Sequence, residues 1–403
     1  MSRCVTNRLA LAGMPHYIVR IIEIIAVFGT VSSSIYYLLC LWSAAAFLRE
    51  RRVANVDRPA QALPPVSILK PLKGTDPEIY ECFRSHCLQD YPEYEIVFGV
   101  SDANDPAVAS VEQLQREFPQ RKICLVICPK VLGANVKVSN LAQMLSAARY
   151  THLIVNDSDI RVEPDYLRQI VGPLANEKVG MVTCLYWGKA AATLGSGLES
   201  LGISTDFCAS VLAARQLEGG VRFGLGSTLA FRRADLERIG GFESFVDYLS
   251  DDYELGKRIA DLGLSVELSH TVVTTHLPAY GLRGFFGHQL RWARGVRDSR
   301  PGGYLGLVFT FGILWSCLAV IASGGTEWAW LLLVSVFALR FAVAIVVGRN
   351  VLHDRKLVRN LWLLPIRDLI AVGVWTMSLG GHTVTWRGDR FQLKDGKLSR
   401  ARP

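Results

Sequence analysis

The residues best suited to chemistry lie in Leu153–Val162, LIVNDSDIRV, where three apolar residues run into Asn156, Asp157, Ser158 and Asp159. A short apolar run ending in polar residues reads as a buried strand. Carboxylates at the carboxyl end of such a strand sit at the crevice where open α/β sheets bind ligands. Asp157 and Asp159 leave the strand together, so both can face Mg²⁺ or Mn²⁺. Such an ion needs one or two protein carboxylates beside substrate phosphates. A solvated acidic turn is the competing reading, because Asp and Ser are common turn formers.

Two further acidic sites and one basic site accompany the pair. Asp102 follows the apolar run Tyr94–Val100, Asp251-Asp252 opens a helical stretch in LSDDYELG, and His288-Gln289-Leu290-Arg291-Trp292 comes 36 residues after Asp252. An acid on a strand end can accept hydrogen bonds from a base or ribose, and a carboxylate pair can hold a metal on a diphosphate. A further carboxylate can take a proton from an acceptor hydroxyl. An Arg with a nearby His can steady a departing diphosphate. Helix capping is the alternative for Asp251-Asp252, and suits Asp251 better. Lys137, in GANVKVSN, either reaches a nucleotide or is a surface lysine at a helix start. His270 and His276 are either metal ligands or structural, the latter being the commoner case.

These residues need a scaffold. Strands are expected at Val66–Leu69, Tyr94–Val100, Ile123–Ile127, Leu153–Asn156 and Val179–Cys184. Helices are expected between them at Pro77–Gln89, Pro106–Glu117, Val138–Ala148 and Pro164–Leu174. Such alternation argues a mostly parallel sheet covered on both faces, a doubly wound nucleotide-binding architecture. No GxGxxG follows the first strand and no GxxxxGK[ST] occurs, which disfavours a dinucleotide fold and excludes a P-loop.

The flanks are of another kind. Ile24–Leu48 is 25 residues without a charge, enough to span a bilayer, and Arg49-Glu50-Arg51-Arg52 is a basic stop favouring the cytoplasmic side. From Gly281 a basic amphipathic helix suits a membrane interface, with Leu282, Phe285, Phe286, Gln289, Ala293 and Val296 on one side. His288, Arg291 and Arg294 fall around the other. Apolar segments follow at Tyr304–Ser323, Trp328–Val347 and Leu361–His382, carrying Arg340 and the pair Arg367-Asp368. The loop 348–360 and the tail after Thr383 are both basic and both ask for the cytoplasm. A re-entrant or interfacial 361–382 segment satisfies both. The net charge of +8, clustered beside apolar segments, points to an anionic membrane surface. No nucleic-acid signature accompanies it. Nine cysteines without a metal-ligand pattern read as core thiols of a cytosolic domain.

VSILKPLKGTDP, VSDANDPA, NDSDIRV, LSDDYELG and HQLRW, in this order, resemble the ceramide glucosyltransferase family of GT-A glycosyltransferases, with its "D, D, D, (Q/R/H)xxRW" signature. The resemblance runs from about Val66 to Arg297, with an echo at Thr385-Trp386-Arg387. KVSNL, DSDIRVEPDYL, VTCLY and HQLRW followed by Pro301-Gly302-Gly303-Tyr304 look closest to the bacterial branch associated with hopanoid biosynthesis.

The resemblance implies an α/β GT-A domain between an amino-terminal transmembrane helix and carboxyl-terminal membrane helices. It places Asp102 in a uridine pocket and Asp157 on the nucleotide-sugar and metal. Asp252 becomes the catalytic base, and Arg291 and Trp292 close over the diphosphate. Asp159 stands where the eukaryotic ceramide enzymes resemble a Gly. The expected divisions are a basic tail (1–23), an anchor (24–48), a linker (49–65), the GT-A domain (66–280), the interface helix (281–300), membrane or re-entrant segments (301–382) and a basic tail (383–403). The expected activity is inverting transfer from a UDP-sugar to a membrane lipid at the cytoplasmic face of a bacterial inner membrane. A polysaccharide synthase that exports its product is disfavoured by having only three or four apolar segments. An inert membrane scaffold leaves Asp102, Asp157, Asp252 and Arg291 together without a reason.

Overall fold

The computed structural model describes residues 15–56, 63–386 and 388–400. Eight strands, β1 (Val66–Pro71), β2 (Tyr94–Val100), β3 (Lys122–Ile127), β4 (His152–Val155), β5 (Ile160–Arg161), β6 (Val179–Lys189), β7 (Leu229–Arg232) and β8 (Ser265–His276), form one sheet. Its order is β3-β2-β1-β4-β7-β6-β8-β5. The half from β3 to β4 is parallel, as is the pair β6–β8; β7 runs against β4 and β6, and β5 against β8.

Strands β1 and β2 are buried along their whole length, as strands covered on both faces must be. Because successive side chains point to opposite faces, Leu69 and Val97 enter one hydrophobic core while Ile68, Ile96 and Phe98 enter the other. The chain order reverses at β1, whose neighbours are β2 and β4. That is the switch point at which open α/β sheets bind ligands.

The expected strands all form. Three elements were not foreseen, the short edge strand β5, the antiparallel β7 and the long β8. The four expected helices form shorter, at Ile79–Cys87, Ala107–Glu117, Val136–Met144 and Tyr166–Val171. A second sheet was also unforeseen. The expected basic tail folds as β9 (Thr383–Trp386), β10 (Asp389–Lys394) and β11 (Lys397–Arg400), all antiparallel. Its signal was present, since Asp395 and Gly396 both take positive φ and Asp-Gly is a strong hairpin turn. Phe391 and Leu393 alternate with exposed residues and are buried.

The amino-terminal helix is also longer than its apolar core, running from His16 to Val56 without a break. It takes in part of the expected linker, because Glu50 pairs with Arg215 at 2.5 Å and Arg51 donates to the Val351 carbonyl at 3.1 Å. Residues 1–14 of the expected tail and 57–62 of the linker lie outside the described residues. Among the described residues two helices are long and apolar enough to cross a membrane, His16–Ala54 and Glu327–Val351. Pro301–Thr310 and Gly312–Ala322, bent by 49°, make a third if they are one broken span. Leu364–Leu379 has 16 residues. It follows the short helices Leu357–Asn360 and Leu361–Leu363 without a gap, and is not among the helices that are long and apolar enough to cross a membrane by themselves.

The charges expected at membrane depth face protein. Arg340 is buried, donates to Asp368 at 2.8 Å and to the Thr205 carbonyl at 3.0 Å, and pairs with Asp206.

Candidate active site

Two strand ends and two helix starts meet at the carboxyl edge of the sheet. Asp157 follows β4, and its neighbour strand β1 brings Lys70, fully buried, whose ammonium donates to the Asp157 carbonyl at 2.9 Å. Burial pushes the Lys70 amine down to about 8. Lys137 enters from the start of the Val136–Met144 helix, which Asn135 caps by accepting from the Val138 N–H. The Asn135 amide also donates to the Tyr248 carbonyl at 2.8 Å, tying this helix start to the turn before Asp251.

Lys137 bridges Asp157, at 2.8 Å, and Asp251, at 3.0 Å. Burial alone works against its charge. The carboxylates of Asp157, Asp251 and Asp252 more than offset that, and its pKa is raised. The cap position is Ser250, which makes no side-chain cap bond, and Asp251 stands in the first turn of the helix. In place of the expected cap, Asp251 pairs with the buried Lys137 ammonium.

Asp252 is the more chemically poised of the two. Its Oδ2 accepts from the Gly226 N–H and its Oδ1 from the Tyr253 N–H, both at 2.8 Å. Burial first, then the Asp251 charge, pushes its carboxyl up to about 6. A Cβ on Gly226 would come within 3.0 Å of the Asp157 Oδ2 and 3.3 Å of the Asp252 Oδ2. The bare glycine lets both carboxylates face one point. One sits on a strand end and one on a helix start, so only the folded chain brings them there.

Asp159 occupies a different position. Burial, then Asp157, pushes its carboxyl up to about 6, and its Oδ2 accepts from the Thr275 hydroxyl at 2.5 Å. Ser158, between the two acids, donates to Asp76 at 2.5 Å.

These residues line one end of a cavity of about 1200 Å³. The Leu282–Ser299 helix adds His288, Arg291 and Trp292 to its lining. His288 stacks on Tyr280 and approaches Trp292, at ring separations of 5.6 and 5.0 Å. Its Nδ1 lies 2.7 Å from Glu199, a carboxylate only 1% exposed. The tail sheet completes the wall. Trp386 lies under the Arg291 guanidinium at 5.9 Å, and Asp389 pairs with Lys73 at 3.7 Å. Arg294 holds the sheet by donating to the Thr383 and Gly380 carbonyls. Leu249, just ahead of Asp251, donates its N–H to the Gly396 carbonyl at 3.0 Å.

Residues 25–399 match glycosyl transferase family 21. The chain belongs to that family. It is 24% identical to ceramide glucosyltransferase 3 of Caenorhabditis elegans over 395 residues, covering 93% of this chain and 82% of that protein. It is 26% identical to ceramide glucosyltransferase 1 of the same animal over 273 residues, covering 68% of this chain and 58% of that protein. This last match spans less than two thirds of the relative's length. The fold is similar to that of a mannosyltransferase from Pyrobaculum calidifontis, solved in complex with GDP-Man and Mn²⁺. The TM-score is 0.54 at 20% identity, covering 89% of this chain and 99% of the other. The family 21 chain is a glycosyltransferase with a GT-A-type α/β fold.

Of the residues singled out from the sequence, the cavity gathers Lys137, Asp157, Asp159, Asp252, His288, Arg291 and Trp292. Asp102 is not among its lining residues. It is exposed past the end of β2, and its carboxylate accepts from the Asn104 backbone at 2.9 Å. His270 packs on Phe47, and the His276 Nδ1 lies 3.3 Å from the Cys82 thiol. Among the described residues no group of three His, Cys, Asp or Glu forms a ready metal site. On the interface helix Phe285 is buried and Leu282, Phe286 and Val296 are exposed, while His288, Arg291 and Arg294 line the cavity.

Sequence reasoning passed over Lys70, Asp76, Glu199 and Gly226, and noted Trp386 only as an echo of the family resemblance. Lys70 and Asp76 lay inside the quoted motif VSILKPLKGTDP. Glu199 and Gly226 carried no local signal, since their partners are remote in the chain. Trp386 makes a testable case. Cation–π contacts contribute about 0.5–2 kcal/mol, so Trp386→Ala is expected to raise the donor KM by roughly two- to thirtyfold. An unchanged donor KM in steady-state kinetics would show that the tail sheet is only a structural cover.

Proposed function

We propose that this family 21 enzyme moves a hexose, N-acetylglucosamine or glucose, from a UDP-sugar to a hydroxyl of a membrane lipid with inversion. A hopanoid of the bacteriohopanetetrol type is the favoured acceptor, and ceramide the alternative. The observation that carries the reading is the convergence of Asp157 and Asp252 on Gly226 in a cavity walled by Arg291. The helix bearing Arg291 leads directly into the bent apolar pair 301–322.

In this reading Asp252 takes the proton of the acceptor hydroxyl as its oxygen bonds to the anomeric carbon. The bond from that carbon to the diphosphate breaks on the opposite face, and UDP departs toward Arg291 and His288. No second nucleophile is needed, so the anomeric configuration inverts. Lys137 keeps Asp157 and Asp251 in place while the donor enters, and Trp292 closes the wall. Asp102 bears on the nucleotide only if its loop approaches a bound uridine.

The donor set suits a hard divalent ion. Asp157 is about one third exposed to the cavity, and such ions need only one or two carboxylates beside substrate phosphates. Mg²⁺ or Mn²⁺ held by Asp157, with Asp159 behind it, would neutralise charge on the diphosphate. The catalytic domain faces the cytoplasm of a bacterial inner membrane in this proposal, where UDP-sugars are made. The basic stop at Arg49–Arg52 supports that orientation.

The test is incubation of the full-length protein in vesicles with labelled UDP-glucose, UDP-N-acetylglucosamine or GDP-mannose, and with hopanoid or ceramide. Label from one UDP-sugar is expected in the lipid phase. Label only from GDP-mannose, or only in water-soluble polymer, would overturn the reading.

A further inference from the structure

Part of the cavity lining, its apolar arm, is left unassigned by the donor chemistry and comes from two helical stretches. One is the continuous helical stretch 194–217, whose Ile203, Phe207, Ser210, Ala214 and Leu217 recur every three or four residues and line one stripe. The other comprises Gly295 and Ser299 of the Leu282–Ser299 helix, Gly303 of the Pro301–Gly306 helix that follows the break at Arg300, and Leu307. A Cβ on Gly303 would find only the Arg300 Cβ, at 3.9 Å, so the space beside it stands open.

This arm leads toward the apolar helices. Tyr36, on the amino-terminal helix, is part of its lining. The Cys208–Leu217 helix shares a hydrophobic core with Ala44 and Phe47 of the same long helix. On the other wall Phe309 meets Phe28 at 5.9 Å. At the outer end Leu217, Val296 and Leu305 are exposed, Leu217 by 70%. There Arg300 and Glu218 pair at 2.5 Å, tying one wall to the other. A sugar chain would need many polar partners along the arm, where the stripes named above offer only Ser210 and Ser299 and where Arg300 and Glu218 engage each other.

We infer that this arm holds the alkyl chain of the acceptor, which enters beside the amino-terminal helix and presents its hydroxyl to Asp252. An alkyl chain leaving the apolar surface of the amino-terminal helix would meet the cavity lining at Tyr36, where apolar surface favours its burial. The inference rests on the reading of the site as sugar transfer to a membrane alcohol.

The experiment uses full-length protein in nanodiscs, with the n-alkanols from hexanol to decanol as inhibitors of transfer to the lipid acceptor. Each methylene buried by the arm is expected to tighten inhibition by about two- to fourfold. Ala214→Phe and Gly303→Leu both fill the arm, the second at a helical position where leucine is a better helix former than glycine. In both variants the dependence on alkanol length is expected to flatten. The lipid acceptor KM is expected to rise at least about tenfold, while the donor KM stays within about twofold. An unchanged length dependence in both variants, or donor and acceptor KM rising together, overturns the arm as the acceptor site. If the wild-type protein transfers sugar to no lipid, the functional reading itself fails, a result distinct from wild-type transfer that the variants leave untouched.

Discussion

Asp252→Asn lowers the rate of sugar transfer by about 10²–10⁴-fold while binding of the UDP-sugar survives, if Asp252 is the base. An alcohol has a pKa far above neutral, so its proton must leave as the new bond forms. The asparagine keeps the shape of the side chain and an oxygen to accept from the Gly226 N–H, and it removes the proton acceptor. The carboxyl at about 6 also sets a pH dependence. A base works only when ionised, so the wild-type rate should be flat above pH 6 and fall about tenfold per unit below it. That limb should disappear in Asp252→Asn. Asp251→Asn is the comparison. It removes one of the carboxylates on Lys137, so its effect should fall on the donor KM and be far smaller on turnover. Measured kcat values in the reverse order would move the base to Asp251. Loss of UDP-sugar binding in Asp252→Asn would move that residue into the nucleotide site.

The second large effect concerns the metal. In excess chelator, transfer to lipid should stop, and Mn²⁺ or Mg²⁺ should restore it. Asp157→Asn should raise the metal concentration for half-maximal rate by more than about tenfold, because it removes the carboxylate most open to the diphosphate. Asp159→Asn should shift it less, since the Asp159 carboxylate is buried and already accepts from Thr275. Full turnover in chelator would assign charge compensation to protein cations alone. Lys137, which touches Asp157 at 2.8 Å, would then be the first to examine.

The parallel half of the fold was legible because buried strands write themselves as apolar runs. Val66–Leu69 and Leu153–Val155 are such runs, and a carboxylate at the end of one is placed by the strand itself. The same logic exposed the membrane-length segments, since a bilayer demands length and apolarity in one contiguous stretch. The order of acidic sites and HxxRW was legible for the same reason: each motif is local.

What the tertiary structure decided is every relation between residues remote in the chain. That Asp157 and Asp252 share the space beside Gly226 depends on β4 and β7 pairing side by side, which no local pattern records. The Asp251 side chain read as a cap, but the cap position is Ser250, and Asp251 pairs with Lys137 from another helix start. Glu199 was invisible because a lone Glu on a helix reads as solvated until His288 is packed against it. The basic tail read as an extension, yet its alternating residues form a sheet once Leu249 offers a core to bury them. Local composition determines which elements form and where their polar ends lie. Packing determines which of those ends meet, because burial makes each charge seek the nearest partner the fold supplies.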